Sequence, residues 1–297
     1  MVRWLSLSDQ VALAEQIFGD RGPGLVEDWL AEQVARIDDP GFAEGFAAHV
    51  ELSGVVTGDF NHRDLRTTNG RLLGGIRFYG RDVRRPFVEV CCHDFAELDD
   101  LRACVRSEWS AFAPKYLRLQ ELPGRVTGPG VVLDTTLHAA RYRDMPAPDG
   151  RITLEPFDRV EDAVAMVERR YALIATSDPA LRHNVSPAAA EDLWHWHATG
   201  ELRAIRAGDA TIGLLAVAPG TIGWLPGDEI NEEIVDVDHL GHGYAAAAQC
   251  TWAKVVANDP GGLLIGTIDR LNGASRITAE RAGRPPILEA VFVSLGT

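Results

Sequence analysis

The chain has 297 residues, 46% of them hydrophobic and 24% charged, which is enough apolar material for two domains of about 150 residues each. Its 29 basic and 43 acidic residues leave a net charge of −14. That balance argues against nucleic acid or an anionic membrane as partner, since both are bound through clustered Lys and Arg; it is compatible with a cationic acceptor such as an amine, and an acidic surface that aids solubility is the simpler reading. No apolar run reaches the roughly 18–20 residues that span a bilayer. The opening "MVRWLSLSDQ" lacks the apolar stretch of a signal peptide, so a soluble cytoplasmic protein is expected. Cys91, Cys92, Cys104 and Cys250 show no CxxC spacing, so no metal site or redox motif is expected. Cys91 and Cys92, adjacent on one strand, point to opposite faces and read as small buried hydrophobes.

The first fifty residues read as helices, with Ser8 as an N-cap and apolar residues at helical spacing through Leu25, Trp29, Leu30 and Val34. Strand-like runs follow at 49–60 ("HVELSGVVTGDF"), 70–80 and 86–93, with an Asn-Gly hairpin turn in "TTNGR". A helix over 97–112 ends before Pro114, and strands are predicted at 115–122 and 130–142. The segment "RDMPAPDGR" (143–151) has the composition of a linker, which places a domain boundary near residue 148, giving domains 1–148 and 149–297.

The second half opens with a strand at 151–157 and two helices, 160–175 and 186–201, the latter with Ser186 as N-cap and Pro187 at the first helical position. Strands at 202–208 and 210–219 form a hairpin around Gly208-Asp209. Then comes "EEIVDVDHLGHGYAAAAQCTWAKVV" (232–256), a strand that turns through two glycines into an alanine-rich helix. A strand at 262–269, a helix at 272–283 and a strand at 287–295 complete the chain. The order β-α-α-β-β-β-α-β-α-β appears clearly here and in weakened form in the first half, as in a duplicated unit.

A glycine turn at a helix N-terminus offers free backbone N–H groups and the positive end of the helix dipole, a setting for phosphate. Gly241-x-Gly243-x-x-Ala246 formally matches a dinucleotide fingerprint, with Asp269 as its downstream acid. Its position argues against that reading: a dinucleotide fold starts with this unit, and too little chain follows it for the further βαβ repeats. A turn required by sterics alone is the other open reading.

The stretch "VDVDHLGHGYAAAAQ" resembles the acyl-CoA loop of the GCN5-related N-acetyltransferase (GNAT) superfamily, Q/R-x-x-G-x-G/A, through Leu240-Gly241-His242-Gly243-Tyr244-Ala245. "IDRLNGASRITAERAGR" resembles the second cofactor motif, with Asn272, Ser275 and Gly283 on its spacing. The resemblance covers about residues 151–297. The first half looks like a degenerate copy, without the glycine loop after "FVEVCCH" and without the last cofactor helix. It implies two tandem GNAT-like α/β domains, each a mixed, mostly antiparallel sheet flanked by helices. It also implies acetyl-CoA as co-substrate and an amine acceptor, small molecule or peptide. By the same resemblance, backbone N–H groups from Gly241 to Ala245 hold the CoA pyrophosphate. The backbone of Val235 and Val237 pairs with the pantetheine arm, and Asn272 helps place the cofactor.

The chain departs from the pattern at three points. Leu240 stands where the family has Gln or Arg, with His239 and His242 beside it; Ala279 stands at the usual general-acid Tyr; Arg284 replaces an aromatic. For the base, Glu229, Glu232, Glu233 and Asp236 lie on or before the cofactor strand, and Glu229 and Glu233 share the parity of Val235 if pairing is regular. Each of them also reads as part of a solvated strand edge. His195 and His197, two apart on a helix, are not placed to chelate one metal. Trp194, Trp196 and Trp224 read as core, with an acceptor pocket as the alternative. The expected activity is N-acetyl transfer from acetyl-CoA; the alternative is an inactive acyl-CoA-binding or regulatory protein on the same fold.

Overall fold

The computed structural model describes residues 4–50, 52–257, 259 and 261–296. The helices are α1 (Ser8–Phe18), α2 (Gly22–Ala35), α3 (Pro40–Ala47), α4 (Leu98–Glu108), α5 (Val160–Ser177), α6 (Pro179–Asn184), α7 (Ala190–Thr199), α8 (Tyr244–Thr251) and α9 (Gly273–Arg281). The strands are β1 (Arg63–Arg66), β2 (Arg71–Phe78), β3 (Pro86–His93), β4 (Tyr116–Glu121), β5 (Val131–Arg141), β6 (Thr153–Glu155), β7 (Leu202–Ala207), β8 (Ala210–Ile222), β9 (Leu225–Val235), β10 (Leu263–Asp269) and β11 (Pro286–Ser294). The chain forms two compact units, one of residues 1–134 with 288–297 and one of residues 135–287. The Pro/Gly-rich segment 143–151 lies within the second unit, and most of the final strand is counted with the first.

In the first unit β1, β2 and β3 are antiparallel, β3 and β4 are parallel, and β4 pairs antiparallel with residues 289–294 of β11. The turn between β1 and β2 is closed by the Thr67 N–H donating to the Gly70 carbonyl, the Asn-Gly hairpin read in the sequence. Leu72, Ile76, Val88, Leu101, Trp109, Leu117 and Val293 make its core. From β3 the chain enters α4 without a glycine loop, and no helix separates β4 from β5.

In the second unit β6, β7, β8 and β9 are antiparallel, β9 and β10 are parallel, and β10 pairs antiparallel with residues 135–141 of β5. This is a mixed, mostly antiparallel sheet with helices on both faces. On one face Leu202, Ala204, Leu214, Ala216 and Ile234 meet Ala163, Met166 and Val167 of α5 and Leu193 of α7. On the other, Ile205, Leu215, Val217 and Val235 meet Ala246, Ala247, Ala248 and Cys250 of α8. Alanine along α8 keeps that helix close to the strands. All four cysteines are free and buried. Among the described residues no helix is long and apolar enough to cross a membrane.

Two expected elements are corrected. The run 49–60, whose Glu51 lies outside the described residues, is no strand. Gly54 takes a left-handed φ of 81°, and the Asp59 carboxylate accepts the Val56 N–H, so the apolar residues there close a turn and a 3-10 helix over Thr57–Phe60. Nor does a helix start at Ser186. Asp178 and Pro179 cap and open a short helix, α6, and α7 begins only at Ala190. The intervening segment is held extended because the Ala188 N–H donates to Glu232 of β9 at 3.0 Å.

The β8–β9 contact is close enough to test. A Cβ on Gly213 would lie 2.2 Å from the Ile234 carbonyl oxygen, so only glycine lets the strands meet there. Gly213→Ala is expected to cost about 1–3 kcal/mol, read as a lower urea midpoint with an unchanged slope. A variant as stable as the parent would show that this pairing is not formed.

Candidate active site

β9 and β10 touch only briefly. Their parallel pairing covers Leu264 against Asp228 and Ile265 against Glu229, and then the strands part. The parting coincides with a bulge in β9: Val217 faces Ile230 and Ala216 faces Glu232, leaving Asn231 as the extra residue. Further along, the Asp236 N–H donates to the Ile212 carbonyl of β8 at 2.8 Å. Alternation along an antiparallel pair therefore turns the backbone polar groups of Glu233 and Val235 away from β8, toward the side from which β10 has departed. The opening is a cleft of about 400 Å³ lined by residues 229–234 of β9, 266–269 of β10, Asn272, Ala274 and Ser275 of the next turn and helix, and Tyr171, Ser186 and Arg284.

The bulge also reverses the expected parity. Glu229 and Glu232 lie on the face covered by α5 and α7, whereas Glu233 lies with Val235 on the α8 face; the extra residue shifts everything after it. The three carboxylates differ accordingly. Glu229 has no hydrogen-bond partner for its carboxylate among the described residues, and burial raises its pKa. Glu232, 7% exposed, accepts from the Ala188 N–H and from the Tyr171 hydroxyl at 3.4 Å; burial raises its pKa despite both bonds. Glu233 accepts from Nε2 of Gln249 at 3.0 and 2.9 Å on its two oxygens, and burial pushes its pKa up to about 7. The Oε1 of Gln249 accepts from Nε of Arg284 at 2.9 Å, so one amide links a carboxylate to a guanidinium. Burial, with Glu232 beside it, also raises the Tyr171 phenol and keeps its proton on.

A second cavity, of about 310 Å³, opens at the glycine turn. It is lined by Gly241, His242 and Gly243, by Ala246, Ala247 and Cys250 of α8, and by Arg151 and Arg281. Gly241 and Gly243 have φ of 82° and 76°, so both need glycine for conformation, and nothing lies within 4 Å of a Cβ on Gly241. Gly243 caps α8 with no side-chain hydrogen bond. Arg151 donates from Nη1 to the His242 carbonyl at 2.6 Å, pairs with Asp149, and lies over the Tyr244 ring. It holds the turn with that carbonyl facing the guanidinium.

The expected site residues thus separate into two places. Gly241, His242 and Gly243 form the turn, with Tyr244 and Ala245 opening α8; Glu229, Glu233, Asn272 and Ser275 line the cleft. Oδ1 of Asn272 accepts the Ser275 N–H at 3.1 Å and caps α9. Val237 is corrected: β9 ends at Val235, and Val237 opens a 3-10 turn, its N–H donating to Asp236 and its carbonyl accepting from the Leu240 N–H. It has no strand edge to offer. Leu240 is 45% exposed, beside the cavity rather than lining it. Ala279 is fully buried, so no proton donor stands there. Asp269, the acid of the dinucleotide pattern, caps the following turn through the Leu271 N–H. His197 contacts the Phe157 carbonyl, Trp224 is core, and Trp194 is exposed; none of the three lines the cleft. Arg151, Arg281, Tyr171 and Gln249 escape a reading of the sequence. Arg281, in the last turn of a helix read as cofactor-binding, carried a usable signal; Tyr171, on α5 and distant in sequence, carried none. No group of three or more His, Cys, Asp or Glu among the described residues could hold a metal.

No family model matches the sequence, and no curated protein does. In structure the chain is similar to an acetyltransferase of the GNAT family from Colwellia psychrerythraea, with TM-score 0.48 and 12% identity over 89% of this chain and 96% of that one. It is also similar to a GCN5-related N-acetyltransferase from Sphaerobacter thermophilus, with TM-score 0.46 and 14% identity over 82% and 84%. A third similar structure is a tandem GNAT protein from the clavulanic acid biosynthesis pathway, with TM-score 0.38 and 14% identity over 88% and 97%.

The raised Glu233 pKa has a consequence for stability. Its folded value of about 7 exceeds the ordinary 4.5, so its contribution is fully present below about 4.5 and is lost as pH rises through 7. Glu233→Gln removes the ionisation, so moving from pH 5 to pH 8 is expected to shift stability in the variant's favour by about 1–3 kcal/mol. Thermal melts at both pH values check this. A difference between parent and variant that does not change with pH would mean that Glu233 is well solvated.

Proposed function

We propose that the second unit binds acetyl-CoA and transfers its acetyl group to an amine, as a GNAT-type N-acetyltransferase. The observation that carries this reading is the parting of β9 from β10 at a bulge, with strand backbone turned into the opening and a left-handed glycine pair at the start of the next helix. Unpaired strand groups offer hydrogen bonds to an extended amide chain such as pantetheine. The N–H groups of the turn and of the start of α8, with Arg151 and Arg281, suit a pyrophosphate.

When bound, acetyl-CoA supplies an activated acyl carbonyl. Backbone N–H groups of the β9 edge would polarise that carbonyl where negative charge develops on it. Glu229 would take a proton from the acceptor ammonium and leave the neutral amine that attacks the carbonyl, because its carboxylate is unengaged and burial has made it more basic. Glu233 is the second choice, since Gln249 already occupies both its oxygens. With Ala279 unable to donate, Tyr171 is the phenol that lines the cleft. That same Ala279 favours a second reading, an acyl-CoA-binding protein that does not turn over.

The test is calorimetric titration with CoA, acetyl-CoA and pantetheine, followed by release of free CoA over an amine panel. Saturable acetyl-CoA binding is expected, weakened roughly tenfold by Arg281→Ala. Equal affinity for pantetheine and CoA would rule out the glycine turn as the phosphate holder. Turnover is expected to rise with pH as the base ionises and to fall by about 10² to 10⁴ in Glu229→Gln with acetyl-CoA affinity retained. Binding without CoA release over the whole panel would favour the non-catalytic reading.

A further inference from the structure

We infer that the β9–β10 cleft takes a substrate bearing a carboxylate, received by the buried guanidinium of Arg284. The inference rests on the acyl-CoA reading of that cleft and adds to it the charge class of the reacting partner.

Arg284 is 2% exposed and lines the cleft. Its Nε is engaged by Gln249, but its Nη1 is buried with no hydrogen-bond partner. Burial lowers its pKa to about 10, which still leaves it charged near neutral pH. Among the described residues it makes no ion pair. A buried guanidinium nitrogen left unbonded is costly, and an anion carried by the ligand of this cleft would complete it.

Its placement points the same way. Gly283, with φ of 81°, reverses the chain out of α9; the Arg284 N–H then donates to the Ala279 carbonyl at 2.8 Å, and its own carbonyl lies 2.9 Å from Nδ1 of His138. The backbone is fixed on both sides, and the side chain ends where β9 and β10 begin to part. A Cβ built on Gly266, the first residue of β10 past the paired register, would sit 3.4 Å from Nη1 and 3.7 Å from Cβ of Ile230. Arg284 therefore stands at the closed end of the opening.

The surrounding charges narrow the ligand. Glu233 is the nearest counter-charge, but it meets Arg284 only through Gln249. Glu232 is engaged by Tyr171 and Ala188, and Asp269 caps a turn. A dianionic phosphate would face these acids across a small cleft, whereas one carboxylate matches the buried open Nη1 of Arg284, with the half-buried Arg170 as the other cation of the lining. Two sources supply that chemistry. The carboxylate stands on the acceptor, as in an amino acid whose amine is taken by Glu229, or at the far end of the acyl group, as in a dicarboxylic acyl-CoA.

The experiment uses the full-length protein in two arms. In the first, acetyl-CoA and succinyl-CoA are titrated side by side. In the second, CoA release from acetyl-CoA is compared for leucine and for isopentylamine, its decarboxylated counterpart. One arm is expected to favour the carboxylate-bearing member by about tenfold to a hundredfold, and that arm identifies the source. Arg284→Gln is expected to collapse the ratio to near one. Should that variant not fold, Gly266→Ala keeps Arg284 but places a methyl beside Nη1, and it is expected to reduce the ratio several-fold. Acetyl-CoA binding with no preference in either arm overturns the inference while sparing the cofactor reading. So does a preference that survives both substitutions. Absence of binding by CoA, acetyl-CoA and succinyl-CoA alike overturns the cofactor reading and the inference together.

Discussion

The second unit is organised around a pairing that stops early. β9 is bonded to β8 along its length, but β10 holds it at only two positions before the two separate. The extra residue at Asn231 is what lets β9 stay in register with β8 while changing which side chains face which layer. The same residue therefore creates the opening and distributes its acids, with Glu229 and Glu232 toward α5 and α7 and Glu233 toward α8. A regular strand would leave neither the gap nor the sorting.

The glycine turn sits just past the free end of β9. Both glycines are there for backbone sign rather than for room, because a side chain on Gly241 would meet nothing. What holds the turn is Arg151, entering from just before β6 and fixing the His242 carbonyl. A cation from outside the loop thus holds the turn that follows Leu240, the position at which the sequence departs most visibly from the acyl-CoA loop pattern.

Much of the architecture was legible because it is local. The Asn-Gly hairpin, the Gly-Asp hairpin, the strand-turn-helix through Gly241 and Gly243, and the helix that starts after Asn272 are written in a few adjacent residues. What was not legible depends on partners far along the chain. Residues 186–189 satisfy a helix-start pattern, yet they stay extended because Ala188 bonds Glu232. Glu229 and Glu233 appear equivalent until the bulge separates them, and a bulge is set by the opposing strand. Val237 continues an apolar alternation, but Asp236 captures its N–H and ends the strand first. Gln249 met no motif and Arg284 read only as a departure from one, since their role arises only when α8 and the turn after α9 converge on β9.

The assignment of strands to units affects the order in which the molecule can be completed during synthesis. Residues 135–287 form a continuous stretch, so every residue of the second unit is synthesised before residues 288–297. The first unit cannot finish then: Glu121 must wait for Glu289 and Tyr116 for Ser294. Until that moment β4 presents an unpaired edge, the kind of surface that recruits other chains. Arg118, in the middle of β4, is ion-paired with Glu89 and Asp134 of its own unit, a cluster of charged side chains beside that edge during the wait. A nascent chain with charged side chains at the centre of its open strand is a poor template for a neighbour on the same polysome, and residues 289–294 arrive later as its partner.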